Sequence, residues 1–178
     1  MDKIIFEPWP KLARLTKDMV ITEKLDGTNA QVIITDNGEV GAGSRTRLIT
    51  PDQDNYGFAR WVEGNKEELL KLGPGRHFGE WWGQGIQRGY NKKEKSFSLF
   101  NSSRWNEHNL PGCCSVVPVI HTGPFDTSRI DETMETLKLL GSYAAPGFMN
   151  PEGVVVYHLG SGTMWKKTFE FDNGKWAA

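Results

Sequence analysis

Short runs of alternating apolar and polar residues, separated by turn sequences, fill the first third of the chain. Residues 29–35 alternate and are rich in β-branched side chains, and Asp36-Asn37-Gly38 follows directly. Such a run before a glycine turn is typical of a hairpin, with residues 39–43 as its second strand. The same pattern predicts six further strands, at residues 20–25, 76–83, 95–101, 115–121, 153–157 and 163–171.

Apolar residues recur at helical spacing in two segments. The clearer helix is predicted at residues 128–141, where the spaced residues are Ile130, Met134, Leu137 and Leu140. Ser128 with Asp131 resembles an N-terminal cap, and Gly141 suits the C-terminal stop. A second helix is predicted at residues 56–72, with a break at Gly64-Asn65. Many antiparallel strands with about two helices indicate an α+β fold rather than a βαβ alternation.

Length and charge limit the possible functions. The 178 residues are enough for one domain with a real core, and we expect a single domain over residues 1–178. The net charge of −1 means that nucleic acid could bind only through a local basic patch. The stretch 88–104 is a candidate, and its basic residues are Arg88, Lys92, Lys93, Lys95 and Arg104. A solvated loop is the alternative for this stretch.

Cysteine and histidine usage predicts a cytoplasmic protein without a zinc site. Cys113 and Cys114 are adjacent, which favours two reduced thiols. The four histidines show no metal-ligand spacing, and no run of residues approaches the length of a membrane span, so we expect no membrane partner.

Lys24 is the strongest candidate for chemistry. It stands at the end of an apolar strand, before the turn Asp26-Gly27, where a cleft could hold its amine rigidly. A lysine becomes nucleophilic when burial or a nearby cation favours its neutral form. By itself, however, the pattern Lys-x-Asp-Gly is short, and an ordinary lysine before a β-turn would explain it.

Five further short motifs follow Lys24-Leu25-Asp26-Gly27 along the chain. They are Ser44-Arg45-Thr46-Arg47, Phe78-Gly79-Glu80, Phe97-Ser98-Leu99-Phe100-Asn101, Glu152-Gly153-Val154-Val155 and Trp165-Lys166-Lys167. This ordered series resembles that of the covalent nucleotidyltransferases, which comprise ATP-dependent DNA ligases, RNA ligases and mRNA capping enzymes. The form Lys-Leu-Asp-Gly-Thr-Asn is most similar to the RNA ligase 2-like branch, and the motifs run from residue 23 to about residue 170.

The resemblance implies a fold and a reaction. The fold would have two mainly antiparallel sheets flanked by helices, with the nucleotide cleft between them, as in nucleotidyltransferase or ATP-grasp-like ligases. Lys24 would attack ATP and keep AMP as a covalent adduct. The AMP would pass to a 5′-phosphate end of a nucleic acid, RNA being favoured, and a 3′-hydroxyl would then seal that end. Mg²⁺ or Mn²⁺ would support these steps.

The resemblance also implies roles for individual residues. Glu23, Asn29, Arg45, Glu80, Phe100 and Lys167 would bind the nucleotide, Glu152 the metal, and Arg47 with Arg88, Lys92 and Lys93 the nucleic acid. Structural alternatives stay open: a solvent-facing turn for the arginines, a turn-supporting amide for Asn29, a buried salt bridge for Glu80, a strand-end charge for Glu152, an exposed strand position for Glu23 and a core position for Phe100. Phe97 is the rival of Phe100 for stacking on the base, and strand alternation puts the two on opposite faces.

The last motif departs from the family pattern, which has two lysines two residues apart. Lys166 and Lys167 are adjacent, so a regular strand points them to opposite faces. Lys167 shares its face with Trp165 and Phe169, which suggests that this face is directed to the core. Lys166 is therefore predicted as the second catalytic lysine, unless a bulge brings both lysines to one side.

The length of the chain is the second departure, because family members usually carry a C-terminal accessory domain. We expect none here, and a separate accessory chain is a possible partner. Two other functions stay open: an adenylyltransferase that activates ends without efficient sealing, and a non-catalytic nucleotide- or nucleic-acid-binding module.

Overall fold

The computed structural model describes residues 4–170 and contains two β-sheets. The strands in chain order are β1 (Asp18–Lys24), β2 (Thr28–Ile34), β3 (Val40–Ser44), β4 (Leu48–Ile49), β5 (Gly75–Gly83), β6 (Lys95–Leu99), β7 (Cys114–Val116), β8 (Val119–Pro124), β9 (Gly153–His158) and β10 (Thr163–Thr168). The four-stranded sheet has the order β10-β9-β1-β8, and the six-stranded sheet the order β4-β3-β2-β5-β6-β7. All neighbouring strands are antiparallel except β6 and β7. The α+β prediction is confirmed.

The helices match the two predicted segments. The first segment forms α1 (Phe58–Gly64), α2 (Lys66–Leu69) and a 3₁₀ turn (Leu70–Leu72), so the break expected at Gly64-Asn65 is present. The second forms α3 (Thr127–Leu140), which ends before Gly141 as predicted. Its cap is Asp126 rather than Ser128, because the Asp126 carboxylate accepts the backbone N–H of Ser128 at 2.8 Å. Within residues 4–170, no helix is long and apolar enough to cross a membrane.

Each sheet buries one face against its own helices. On the six-stranded sheet, a core that includes Val32, Trp81 and Phe97 packs against residues of α1 such as Phe58 and Val62. On the four-stranded sheet, the corresponding residues pack against α3: Met19, Ile21, Val154 and Val156 meet Met134 and Leu137. The alternation of strand side chains then turns the polar residues to the opposite face of each sheet.

One predicted strand is wrong. Residues 115–121 were expected to form a single strand, but β7 belongs to the six-stranded sheet and β8 to the four-stranded sheet. Pro118 lies between them and has no N–H to continue a ladder. Its carbonyl accepts the backbone N–H of Glu23 at 3.0 Å instead. The short strand β4 was not predicted, and residue 171 of the last predicted strand lies outside the described residues.

The chain also changes sheets between β1 and β2, within residues 25–27. The polar ends of β1 and β2 therefore lie on the two walls of one cleft. A small cluster of Leu25, Trp82, Tyr90 and Val117 packs at this junction.

The buried face of α3 gives a stability prediction. Leu137 is fully buried, whereas Leu139 is 75% exposed in the same helix. We expect Leu137→Ala to lower the free energy of unfolding by about 2–5 kcal/mol, because it leaves a cavity. Leu139→Ala is the matched control and should change it by less than about 0.5 kcal/mol. Chemical denaturation measures both; equal effects would contradict the packing of α3 on the four-stranded sheet.

Candidate active site

Lys24 ends β1 beside an acidic residue of another strand. Its Nζ donates to Glu152 Oε2 at 2.7 Å, and both side chains are partly exposed to the cleft. The contact follows from the strand register, which pairs Lys24 with Gly153, the residue after Glu152. The two residues with the most specific predicted roles, nucleophile and metal ligand, are thus adjacent in space although 128 positions separate them in sequence.

Glu80 comes from the six-stranded sheet and reaches the same place. Glu80 Oε1 accepts the Gly27 N–H at 3.1 Å, and Oε2 accepts Asn29 Nδ2 at 2.9 Å. The residue is only 6% exposed, and this burial raises the pKa of its carboxyl to about 7 although Asn29 and the charge of Lys24 act in the opposite direction. Glu80 has hydrogen bonds rather than the buried salt bridge that was its alternative. The Asn29 amide binds this carboxyl, which in turn accepts the N–H of Gly27.

Gly27 explains why the motif needs glycine at this position. A Cβ on Gly27 would lie 2.4 Å from the carbonyl oxygen of Trp81 and 2.7 Å from the Cβ of Trp82. Only glycine allows the turn after Lys24 to approach β5 this closely, and that approach brings the Gly27 N–H to Glu80.

Two residues of the loop after β5 fix Asp26. Arg88 Nε lies 2.9 Å from Asp26 Oδ2, and Tyr90 Oη accepts the Asp26 backbone N–H at 2.8 Å. Tyr90 is buried and has a left-handed backbone with φ 54°. A non-glycine residue in this region is strained, and such strain is found where the surrounding structure requires a particular geometry. The side chains of Arg88 and Tyr90 in this loop thus both contact Asp26, close to Lys24.

Arg88 was predicted to contact nucleic acid as part of a local basic patch, and in the structure its charge is paired within the chain. Its side chain is 13% exposed, and its charge is compensated by Asp26 and by Glu170, whose Oε1 lies 2.7 Å from Nη2. Lys92 of the same stretch lies over the Trp82 ring, with Nζ 4.7 Å from the ring centroid, and Lys93 is exposed. The stretch is therefore not one continuous patch.

Glu23 is fully buried, which excludes the alternative of an exposed strand residue. Its Oε2 accepts the backbone N–H groups of Tyr143 and Ala144, both at 2.9 Å. Within residues 4–170, Oε1 has no hydrogen-bond partner. Burial raises the pKa of this carboxyl, which the hydrogen bonds around it only partly offset. A buried oxygen without a donor is able to accept a hydrogen bond from a ligand.

Lys166 and Lys167 point to opposite faces of β10, as predicted. The register with β9 runs without a shift from Thr163 to Thr168, so no bulge brings both to one side. Lys166 lies on the face that also carries Lys24. Lys166 and Thr22 both pair with Val155 of β9, and Lys24 is two residues after Thr22 on the same face. Lys167 lies on the other face and pairs with Asp131 of α3. Lys167 is thus not brought beside Lys24, and its binding of the nucleotide stays a prediction.

Strand alternation also separates the two phenylalanines. Phe97 is fully buried in the core beside α1, whereas Phe100 is 42% exposed on the face that carries Glu80. Of the two candidates for stacking on a base, only Phe100 is accessible. Arg45 and Arg47 follow β3 and are exposed, and Arg47 donates to the carbonyl of Gln53 at 3.3 Å.

The sequence pointed to Tyr90 only as a possible stacking partner for a base, and it did not predict the contacts of Tyr90 and Arg88 with Asp26. The segment Gly83–Asn91 has six residues with positive φ: Gly83, Gly85, Gln87, Gly89, Tyr90 and Asn91. The many glycines of this segment indicate a tightly folded loop. The sequence does not indicate, however, that the side chains of the loop contact Asp26.

The carboxylates of the cleft fit a divalent cation of the Mg²⁺ type. No group of three or more His, Cys, Asp or Glu residues that could hold a metal by themselves exists among the described residues. Mg²⁺ is usually held by one or two carboxylates with water and substrate phosphates. Glu152 is partly exposed to the cleft and suits this type of binding.

The comparisons with known proteins agree on one family. The family model for RNA ligase matches residues 17–169. Solved structures of Naegleria gruberi RNA ligase variants have the same fold: one with AMP and Mn is 19% identical with a TM-score of 0.61, and one with ATP and Mn is 19% identical with a TM-score of 0.60. Each match covers 86% of this chain. It covers 50% of the ligase chain with AMP and 49% of the one with ATP, so this chain spans about half the length of the ligase. A comparison with curated protein sequences found no match.

The raised pKa of Glu80 predicts a pH dependence of stability. Because the folded pKa is about 7 against an ordinary 4.5, the folded state holds this proton more tightly, and stability falls as pH rises between these values. Glu80→Gln removes the ionisation, so its stability relative to wild type should improve from pH 5 to pH 8 by at most about 3 kcal/mol. Denaturant unfolding of both proteins at the two pH values measures this. The pH-independent effects of the amide cancel in the comparison, and a constant difference would contradict the prediction.

The Tyr90 hydrogen bond gives a local prediction. Tyr90→Phe keeps the ring but removes the acceptor of the Asp26 N–H, which should cost about 1–3 kcal/mol locally. Amide hydrogen exchange at Asp26 should become faster, while that of α3 should stay the same. Tyr157→Phe, at an exposed hydroxyl on β9, is the control. Unchanged exchange at Asp26 would rule out the contact.

Proposed function

The chain belongs to the RNA ligase family, and on that premise we propose that it is an ATP-dependent polynucleotide ligase that acts on RNA through a covalent lysyl-AMP intermediate. The observation that carries the proposal is the meeting of Lys24 and Glu152 from one sheet with Glu80 and Asn29 from the other. A nucleophile, a metal-binding carboxylate and polar groups for a nucleotide then line the same cleft.

Residue spacing in the matched ligase supports this assignment. The solved variants of Naegleria gruberi RNA ligase are substituted, among other sites, at a lysine and at an aspartate two positions after it. Others are substituted at a glutamate and at a lysine fourteen positions after it. Lys24 and Asp26 have the first spacing and Glu152 and Lys166 the second.

In the first step, the lone pair of Lys24 Nζ forms a bond to the α-phosphorus of ATP. The bond from that phosphorus to the bridging oxygen breaks, and pyrophosphate leaves with the electron pair. Nζ must lose a proton to react, and Glu152 Oε2 at 2.7 Å is the nearest acceptor. Lys166, on the same face of the sheet, supplies positive charge to the phosphates.

The remaining residues hold the nucleotide. Glu80 with Asn29 faces the ribose, and Phe100 stacks on the adenine. Glu23 lies on the α3 side of β1 with Val154 and Lys167, and its proposed contact to the base would have to be made at the end of the strand. A divalent cation at Glu152 would supply further positive charge to the triphosphate. Arg45 binds phosphate with its planar guanidinium.

In the later steps, AMP moves from Lys24 to a 5′-phosphate end of RNA, and a 3′-hydroxyl attacks that end and releases AMP. Arg47, exposed beside Arg45, would meet the 5′-phosphate. These steps rest on the family assignment together with the exposure of the two arginines directly after β3.

The covalent step is tested with ATP labelled in the α-phosphate and Mg²⁺, followed by a denaturing gel. Wild type should carry label in an acid-labile bond, as expected for a phosphorus–nitrogen bond. Lys24→Ala should carry none, because the nucleophile is gone. Lys71→Ala is the control, since Lys71 is exposed and pairs with Glu68 outside the cleft. Label that survives Lys24→Ala would exclude the proposed mechanism.

A further inference from the structure

The cleft face of the six-stranded sheet extends beyond Glu80 and is uncovered there. Along β5, His77, Gly79 and Trp81 are buried on the helix side, while Arg76 and Phe78 share the face of Glu80 and are exposed. Phe78 is 53% exposed. An exposed phenylalanine on a sheet that buries Trp81, Trp82 and Phe97 needs an explanation.

A second exposed aromatic lies directly opposite Phe78. The backbone N–H of Phe100 donates to the Phe78 carbonyl at 3.0 Å, which continues the register of β5 and β6. The two residues are thus neighbours in one row across the sheet, next to the row of Glu80 and Ser98. One adenine, stacked on Phe100, leaves Phe78 without a ligand.

The same row continues on its other side into β2 and β3. Gln31 pairs with Phe78 on β5 and with Gly43 on β3. The Gln31 side chain lies over Gly43, which is buried, and a Cβ on Gly43 would lie 2.7 Å from Gln31 Cγ. The row therefore presents a flat surface of aromatic and amide groups.

Positive charge surrounds this surface. Arg76 Nη1 donates to Gln31 Oε1 at 3.3 Å, which holds the guanidinium over the row. Arg45 and Arg47 are exposed at the end of β3. Within residues 4–170, none of these three arginines forms an ion pair. An aromatic ring with uncompensated guanidinium groups suits an unpaired base and its phosphates.

We propose that Phe78 and Arg76 form a subsite for the RNA strand beside the adenylate, in which Phe78 stacks on an unpaired base and Arg76 binds a backbone phosphate. The subsite rests on the proposed function and replaces the predicted basic stretch as the surface for nucleic acid. Stacking on a protein ring requires a base that is free of its own helix, so the ligand is a single-stranded RNA end rather than duplex RNA.

The test separates the nucleotide step from RNA binding. Phe78→Ala, Phe78→Leu and Arg76→Ala are compared with wild type for lysyl-AMP formation without RNA and for the affinity of a fluorescent 5′-phosphorylated single-stranded RNA. All three should form lysyl-AMP within about twofold of wild type, with the same ATP concentration for half-maximal rate. Their RNA affinity should fall about tenfold, because a stacked base or a phosphate contact is lost.

Salt dependence distinguishes the two roles. Arg76→Ala should lower the slope of log affinity against log salt by about 1, while Phe78→Ala and Phe78→Leu should leave it unchanged. Phe78→Trp should keep the RNA affinity of wild type, because the ring is kept. Arg76→Lys should keep the salt slope of wild type, because the charge is kept. Leu139→Ala and Arg129→Ala, both exposed on α3, are the matched controls.

Wild-type RNA affinity in the Phe78 and Arg76 variants would overturn the subsite. A raised ATP requirement for lysyl-AMP formation in Phe78→Leu would also overturn it, because Phe78 would then belong to the nucleotide site. If wild type forms no lysyl-AMP, the proposed function fails, and the RNA affinities still decide the subsite by themselves.

Discussion

The crossing of the chain between its two sheets at residues 25–27 is the constraint on which the site depends. β1 ends in one sheet at Lys24, and β2 begins in the other at Thr28. So short a connection forces the ends of the two strands together and makes Lys24 and Asn29 neighbours on the two walls of one cleft. Gly27 permits the crossing because no other residue fits against the backbone of Trp81.

Three polar side chains hold this crossing, and each comes from a distant part of the sequence. Glu80 accepts the N–H of Gly27, Tyr90 accepts the N–H of Asp26, and Arg88 pairs with the Asp26 carboxylate. The N–H groups of this turn donate to side chains elsewhere in the fold, so the surrounding structure holds the turn in place rather than its own sequence. The rigidity that a nucleophile requires is therefore a property of the whole junction, and the strained backbone of Tyr90 is part of it.

Burial of carboxyl groups is the second physical theme of the cleft. Glu23 and Glu80 are both buried and both have a raised pKa because water is excluded. Neither has an ion-pair partner among the described residues. Backbone N–H groups and the Asn29 amide bind three of their four oxygens, and Glu23 Oε1 has no hydrogen-bond partner within residues 4–170. Burying a carboxyl costs stability unless something binds it. Such costs are typical of sites that are arranged for a ligand rather than for the folded state alone.

The sequence by itself determined the features that depend on local periodicity. The β2–β3 hairpin, the broken helix at Gly64-Asn65, α3 and the opposite faces of Lys166 and Lys167 all follow from alternation or helical spacing, which the backbone imposes over a few residues. The tertiary structure alone decided which distant groups meet. It paired Arg88 with Asp26, divided residues 115–121 between two sheets at Pro118 and left Phe78 exposed beside Phe100. No local pattern fixes such outcomes, because they depend on how two sheets pack rather than on how any one strand is formed.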